Sequence, residues 1–321
     1  MADSIASRSV WTTALISFVG GPFAGFLWIG RGLAAISCLL LISGLGVVLL
    51  YIGFPVFPGT RLNEALASYS SLLAGLLWSG LVVPFAGRSI PDKWYSHGAS
   101  VLLLAGAVGL GVALGVRTFL FQPLSMAAMS MAPNVEQGDY LLATKNAYGY
   151  GLFIELVDSW PAEERWLAEQ PQRGDVVIFR SPLNLEADYI MRVVGLPGET
   201  IQMIDGVLHI DNVPAALEPD GTYENAEMLD RPIVRQRETL PNGVSYKVLN
   251  ISDDSMGDDT APVKVPAGQY FMLGDNRDLS ADSRFELGTV PFDYLRGRAD
   301  RIFWNVLGND YTARQKLAAG R

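Results

Sequence analysis

Few side chains in this 321-residue chain can move a proton near neutral pH. There are two histidines, His97 and His209, five lysines, at positions 93, 145, 247, 264 and 316, and one cysteine, Cys38, inside an apolar run. A single cysteine excludes a disulfide framework or a Cys-rich metal site within one chain. The acidic segment 253–260 (DDSMGDDT) lacks the ligand spacing of an EF-hand and reads as a solvated loop. No cofactor is implied. A serine hydroxyl is a poor nucleophile until a base within ~2.6–3.2 Å takes its proton. A lysine can be that base when burial lowers its pKa from the ordinary ~10.4. Two Ser-Met pairs, Ser125-Met126 and Ser130-Met131, stand just past the most apolar third of the chain.

Four stretches follow in order: Ser130–Asp139 (SMAPNVEQGD), Arg173–Arg180 (RGDVVIFR), Asp188–Gly198 (DYIMRVVGLPG) and Gly274–Arg284 (GDNRDLSADSR). Together they resemble the type I signal peptidases, membrane-anchored serine endopeptidases that clip signal peptides from exported proteins. The last stretch is the most specific, since a match to GDNRDxSxDSR over eleven residues is improbable by chance.

The resemblance implies that Ser130 is the nucleophile, because Pro133 follows three residues on and Gly138-Asp139 stands at the family distance; Ser125 has neither. In the family the base is a lysine between Tyr-Ile and Arg-Val-Val-Gly. Here that position is Met191, whose thioether has no useful basicity, while the next residue, Arg192, is too basic to lose its proton. Ala128 stands where a serine that helps bind the oxyanion is common. Loss of one oxyanion donor costs roughly 10²–10³ in rate, part of which the Ser130 amide could cover. Loss of the base leaves only the residual ~10³–10⁴ over water that binding and oxyanion contacts supply. Lys145 and His209 stay open as substitute bases, and Met191 as plain strand packing. The resemblance also implies that Arg192 pairs with Asp275 and Asp282 with Arg284, bracing the site, and that Ser280 is the serine that orients the lysine. Met129, Met131, Tyr189 and Ile190, with Met126, either line an apolar peptide groove or pack; both readings stay open.

Beyond Arg117 the chain breaks into short β-branched and aromatic runs, 139–145, 175–180, 188–195 and 269–273, separated by turn residues. That texture predicts mostly antiparallel β structure. Asp205-Gly206, between Ile201–Ile204 and Val207–Ile210, predicts a type I′ hairpin, and Asn242-Gly243 a second turn. Residues 159–170 (SWPAEERWLAEQ) predict a short helix with Pro161 in the first turn. Residues 218–230 (EPDGTYENAEMLD) read as a solvated loop.

Ahead of this domain, Leu33–Phe54, Ala65–Gly87 and Ala99–Val116 are nearly charge-free and long enough to cross ~30 Å of hydrocarbon. Trp11–Gly30 is a fourth and weaker candidate, interrupted by Gly20-Gly21-Pro22, which could make a kinked span or a re-entrant hairpin. The fold class is therefore N-terminal transmembrane helices plus a mostly antiparallel β catalytic-type domain of the signal peptidase kind. Residues 1–117 form the membrane region with three or four spans, and residues 118–321 the β-rich domain. Arg88 and Lys93, between the last two spans, favour a cytoplasmic loop there and a C-terminal domain on the trans side. No cleavable targeting peptide is evident.

The first 117 residues carry six Lys/Arg against three Asp/Glu, and the remainder is acidic enough to bring the net charge to −9. That balance excludes nucleic acid as a partner, since a phosphate backbone would be repelled. The spans hold no acidic residue or histidine to line an ion path, which disfavours a transporter. The expectation is a multi-pass protein of a bacterial-type inner membrane. Besides the lipid bilayer, the resemblance implies as partners the signal peptides of exported preproteins, with Ser130 as the residue that would cleave them. The alternative is a catalytically impaired relative that binds or chaperones membrane-tethered peptides.

Overall fold

The computed structural model describes residues 8–52, 75–86, 93–119, 121–151, 165–224, 232–314, 316 and 317. The chain divides into two compact units, Met1–Gly115 and Val116–Arg321.

The first unit is helical, with helices at Val10–Trp28, Gly32–Ile52 and Gly75–Phe85, and the start of Gly98–Phe119. Ile29, Ala35, Val82 and Val101 from successive segments bury one another almost completely. Among the described residues one helix is long and apolar enough to cross a membrane, Val10–Trp28. The apolar stretches described elsewhere, Gly32–Gly44, Gly75–Phe85 and Gly98–Val112, are shorter. The break expected at Gly20-Gly21-Pro22 is present: Gly21 adopts φ 72°, ψ 177° inside the helix, where a Cβ would be strained, and Pro22 has no N–H to continue the ladder. Residues 65–74 and 87 of the expected Ala65–Gly87 run lie outside the described residues.

The second unit is built on antiparallel β structure. Its largest sheet, among the described residues, has seven strands in the order Phe121–Ser125, Asp139–Thr144, Leu295–Asn305, Val176–Ser181, Asn184–Gly195, Gln269–Leu273 and Val290–Pro291. The expected β runs are all strands within it. A second sheet contains the Asp-Gly hairpin, with Ile204 opposite Val207 and positive φ at both Asp205 (48°) and Gly206 (73°), as type I′ geometry requires. A third joins Ala216–Tyr223, Ile233–Thr239 and Ser245–Asn250. Among the described residues four apolar clusters fill the space between, centred on Ile201 and Phe271, on Met131 and Leu141, on Phe179 and Met191, and on Ile233 and Leu249.

Two sequence readings are corrected. Residues 165–170 are not helical: Arg165–Trp166 pair as a strand with Tyr150–Gly151, and the Arg165 guanidinium donates to the carbonyls of Asp293 and Leu295. Tertiary hydrogen bonds have overridden a weak local helix preference; residues 159–164 lie outside the described residues. Residues 218–223 are not a loop but belong to the strand Ala216–Tyr223, where Asp220 pairs with Arg235 and Arg237 of the facing strand. Cross-strand charge pairing lets an acidic sequence join a sheet. Residues 225–230 lie outside the described residues. The segment 253–260 is an irregular turn, where Asp258 accepts from the N–H of Ser255 and Asp259 from that of Asp205.

Candidate active site

The strand Asn184–Gly195 is paired on both edges. Met191 lies opposite Val177, while Arg192 lies opposite Val176 on one side and Leu273 on the other. Alternation sends Met191 and Val193 to one face and Arg192 to the other. Met191 is 4% exposed and packs in the cluster of Tyr148, Val177, Phe179, Val193 and Met272. Gly274 follows Leu273, the last residue of its strand paired with this one. A Cβ on Gly274 would fall 2.2 Å from the Ser280 Oγ and 2.7 Å from the Ser130 carbonyl oxygen. Ser130, Gly274 and Ser280 therefore converge at the end of this strand pair.

The loop that carries Ser130 is closed at its base, where the Met126 N–H donates to the Asp139 carbonyl (2.8 Å) and the Gly138 N–H to the Met126 carbonyl (2.9 Å). Its tip is held by Asn276, whose backbone N–H donates to the Ser130 carbonyl (3.0 Å) and whose side-chain amide donates to the Met129 carbonyl (3.2 Å). Ser130 is half-buried and Ala128 exposed. Among the described residues neither the hydroxyl nor the N–H of Ser130 has a hydrogen-bond partner.

Two ion pairs brace this region. Arg192 grips Asp275 through Nε (2.8 Å) and Nη2 (2.6 Å), and its Nη1 donates to the Gly174 carbonyl (2.8 Å). The guanidinium also lies 4.0 Å from the centroid of the Tyr246 ring. Burial alone would lower the Arg192 pKa, but the Asp275 carboxylate outweighs it and the net shift is upward, so this arginine stays charged. Arg284 holds Asp282 through Nε (2.9 Å) and Nη2 (2.9 Å), and Asp282 in turn accepts from the Gly274 N–H (3.1 Å). Ser280 is 5% exposed, and its hydroxyl is buried without a partner among the described residues.

The remaining residues singled out from sequence separate. Met131 is fully enclosed with Val135, Leu141 and Ile302, and Met126 and Ile190 belong to the same cluster, so these three pack in the core. Met129 and Tyr189 keep accessible surface, Tyr189 standing edge-on to Phe179 with ring centroids 6.0 Å apart. Lys145 begins a short turn at the end of the Asp139–Thr144 strand. His209 sits in the Asp-Gly hairpin with Nδ1 3.0 Å from the Val207 carbonyl.

The family model described as "Signal peptidase, peptidase S26" matches residues 99–304, well over half of the chain. The chain belongs to this signal peptidase family. It is 38% identical over 203 residues to the signal peptidase I of Rickettsia typhi and 39% identical over 204 residues to that of Rickettsia canadensis. Each match covers 61% of this chain and 76% of the relative. A crystal structure of a signal peptidase I from Enterococcus faecalis is 27% identical, covering 40% of this chain and 97% of that one, with a TM-score of 0.25, too low for a comparison of folds.

Within this signal peptidase family member, three residues that sequence reasoning left unassigned carry much of the geometry. Asn276 ties down the Ser130 loop, and its place inside the GDNRDLSADSR stretch was the available signal. Asn134 donates to Asp275 (2.8 Å) and to the Lys247 carbonyl (2.7 Å), linking the serine loop to the ion pair. Glu238, almost fully buried, takes two hydrogen bonds from Arg277 (2.9 and 2.6 Å) and one from the Tyr246 hydroxyl. Burial, then the Glu238 charge, push the Tyr246 pKa well above its usual value. Nothing local in its sequence marks Glu238.

Proposed function

We propose that this protein acts on the signal peptides of exported preproteins as a signal peptidase I-type serine endopeptidase, with Ser130 as the attacking residue. The observation that carries the reading is the convergence of Ser130 and Ser280 on Gly274, the residue after the strand partner of Arg192, in a chain of the signal peptidase family. In this reading the Ser130 hydroxyl attacks the scissile carbonyl, and the unpaired Ser130 N–H is a donor for the developing oxyanion. An extended peptide ending in small residues such as Ala-x-Ala lies beside the half-buried Met129 and Tyr189, adding to the strands as peptides commonly do. The apolar helices of residues 1–117 cross the membrane three or four times and hold the second unit on the trans side of a bacterial-type inner membrane, near substrates still anchored in lipid.

The proton on Ser130 needs an acceptor other than residue 191, because a thioether cannot take it. One observation favours a second reading, in which the protein binds membrane-tethered peptides without cutting them: the Ser280 hydroxyl is buried with no partner among the described residues. The two readings separate in one experiment. The protein in detergent is offered a preprotein with an Ala-x-Ala junction, alongside Ser130→Ala and Met191→Lys. Cleavage by the natural chain that disappears in Ser130→Ala supports the protease. Cleavage that appears only in Met191→Lys supports the binding protein. No cleavage and no binding of the preprotein by any of the three overturns both.

A further inference from the structure

The second unit contains a cavity of about 610 Å³, within the ~300–1,000 Å³ range of small-molecule sites. Five of its lining side chains are cationic, Arg173, Arg192, Arg237, Lys247 and Lys316, and none is a carboxylate, in a chain whose acids outnumber its bases. Three of the five charges are answered from behind the wall: Arg173 by Glu199, Arg192 by Asp275 and Arg237 by Asp220. Lys247 and Lys316 have no ion pair among the described residues. They come from separate elements, the strand Ser245–Asn250 and the bridge that joins Lys316 to Arg301. Two ammonium groups without a salt bridge, only Lys247 having a carboxylate, Asp220, within electrostatic reach, face one concavity and form a positive potential that low-dielectric walls focus rather than disperse.

We propose that this cavity is a binding site for a phosphate-bearing ligand, held by Lys247 and Lys316 with the half-exposed Arg237 beside them. Lysine binds phosphate as a point charge, and two lysines with a neighbouring guanidinium suit a doubly charged group better than a single carboxylate. The side-chain amide of Asn242 and the hydroxyl of Ser245, both on the wall, are available for ligand hydroxyls at the cost of their present bonds to the Arg173 carbonyl and Thr239. The same chemistry is offered by a soluble phosphate compound and by the headgroup of an anionic lipid. The site is separate from Ser130, although Arg192 and Asn134 belong both to its wall and to the bracing around Asp275.

The test uses the full chain, its Lys247→Gln/Lys316→Gln double variant and the exposed single change Lys316→Glu. Pyrophosphate binding is measured by calorimetry at low ionic strength, where such attraction is least screened. Thermal midpoints are compared in phosphatidylglycerol and phosphatidylcholine nanodiscs. The site predicts binding to the natural chain that weakens at least about tenfold in both variants while their midpoints without ligand stay close to it. Pyrophosphate binding with equal midpoints in the two lipids identifies a soluble ligand. Stabilisation by phosphatidylglycerol that the variants lose identifies a headgroup. No response to either probe, or the same response in all three proteins, overturns the proposal.

Discussion

The backbone N–H of Asn276 donates to the carbonyl of Ser130 at 3.0 Å, so the loop carrying the serine is fastened by main chain to the segment that carries Asp275, Ser280 and Asp282. Neither side chain has to be chosen for that bond to form. It fixes where Ser130 stands even though the residue at position 191 is a methionine, and it explains how a site frame can persist apart from its proton acceptor.

Gly274 lies at the tightest point of that frame. Its replacement by alanine would set a Cβ 2.7 Å from the Ser130 carbonyl, which is backbone and cannot rotate aside. We expect Gly274→Ala to lower stability by about 1–3 kcal/mol, the usual cost of overpacking. It should also abolish any Ser130-dependent cleavage, in the natural chain or in Met191→Lys, when unfolding and turnover are measured on the same preparation.

Breaking the Arg192–Asp275 pair should be expensive. Asp275→Ala leaves a buried guanidinium without its carboxylate and should cost about 3–5 kcal/mol. The double change Arg192→Met/Asp275→Leu should recover most of that loss, because it removes both charges. Urea denaturation of the three proteins checks the order; equal stability of Asp275→Ala and the natural chain would show that the pair is not buried as described.

Ser280 offers a sharper comparison. Its hydroxyl is buried and unpaired, and such a group costs roughly 1–3 kcal/mol of desolvation. Ser280→Ala in the natural chain should therefore be neutral or stabilising. In Met191→Lys the same change should reduce cleavage, since the hydroxyl then has an amine to orient. A double-mutant cycle on rate isolates that coupling; purely additive effects would place the two side chains out of contact.

Met191→Lys should also acquire a pH-dependent stability. A lysine at this 4%-exposed position has a depressed folded pKa, so between that value and ~10.4 the unfolded chain binds more protons than the folded one. Stability must then rise with pH across this window and be lowest below it. Melting curves from neutral to alkaline pH, compared with the natural chain, read the difference. A profile parallel to that of the natural chain would mean that the lysine has escaped to solvent.

Much of the fold was legible in the sequence because it rests on local rules. Charge-free runs gave the helices, β-branched runs gave the strands of the large sheet, and Asp205-Gly206 closed its hairpin with the turn its residue types demand. The motif order brought together the residues of the frame, and the two ion pairs implied for Arg192 with Asp275 and Arg284 with Asp282 are present. What failed did so where partners lie far along the chain. Arg165 gains carbonyls near residue 294 and becomes a strand, and Asp220 gains two arginines and enters a sheet.

By itself the sequence determined which residue types stand at each position, including a serine at 130, a methionine at 191 and the scarcity of other proton acceptors. Side-chain chemistry is intrinsic and needs no fold to be read. Only the tertiary structure decided that Met131 packs in the core while Met129 keeps surface, that Ser280 is sealed without a partner, and that Lys247 and Lys316 face one cavity. Burial and convergence are set by which distant strands pair, and no window of local sequence contains that information.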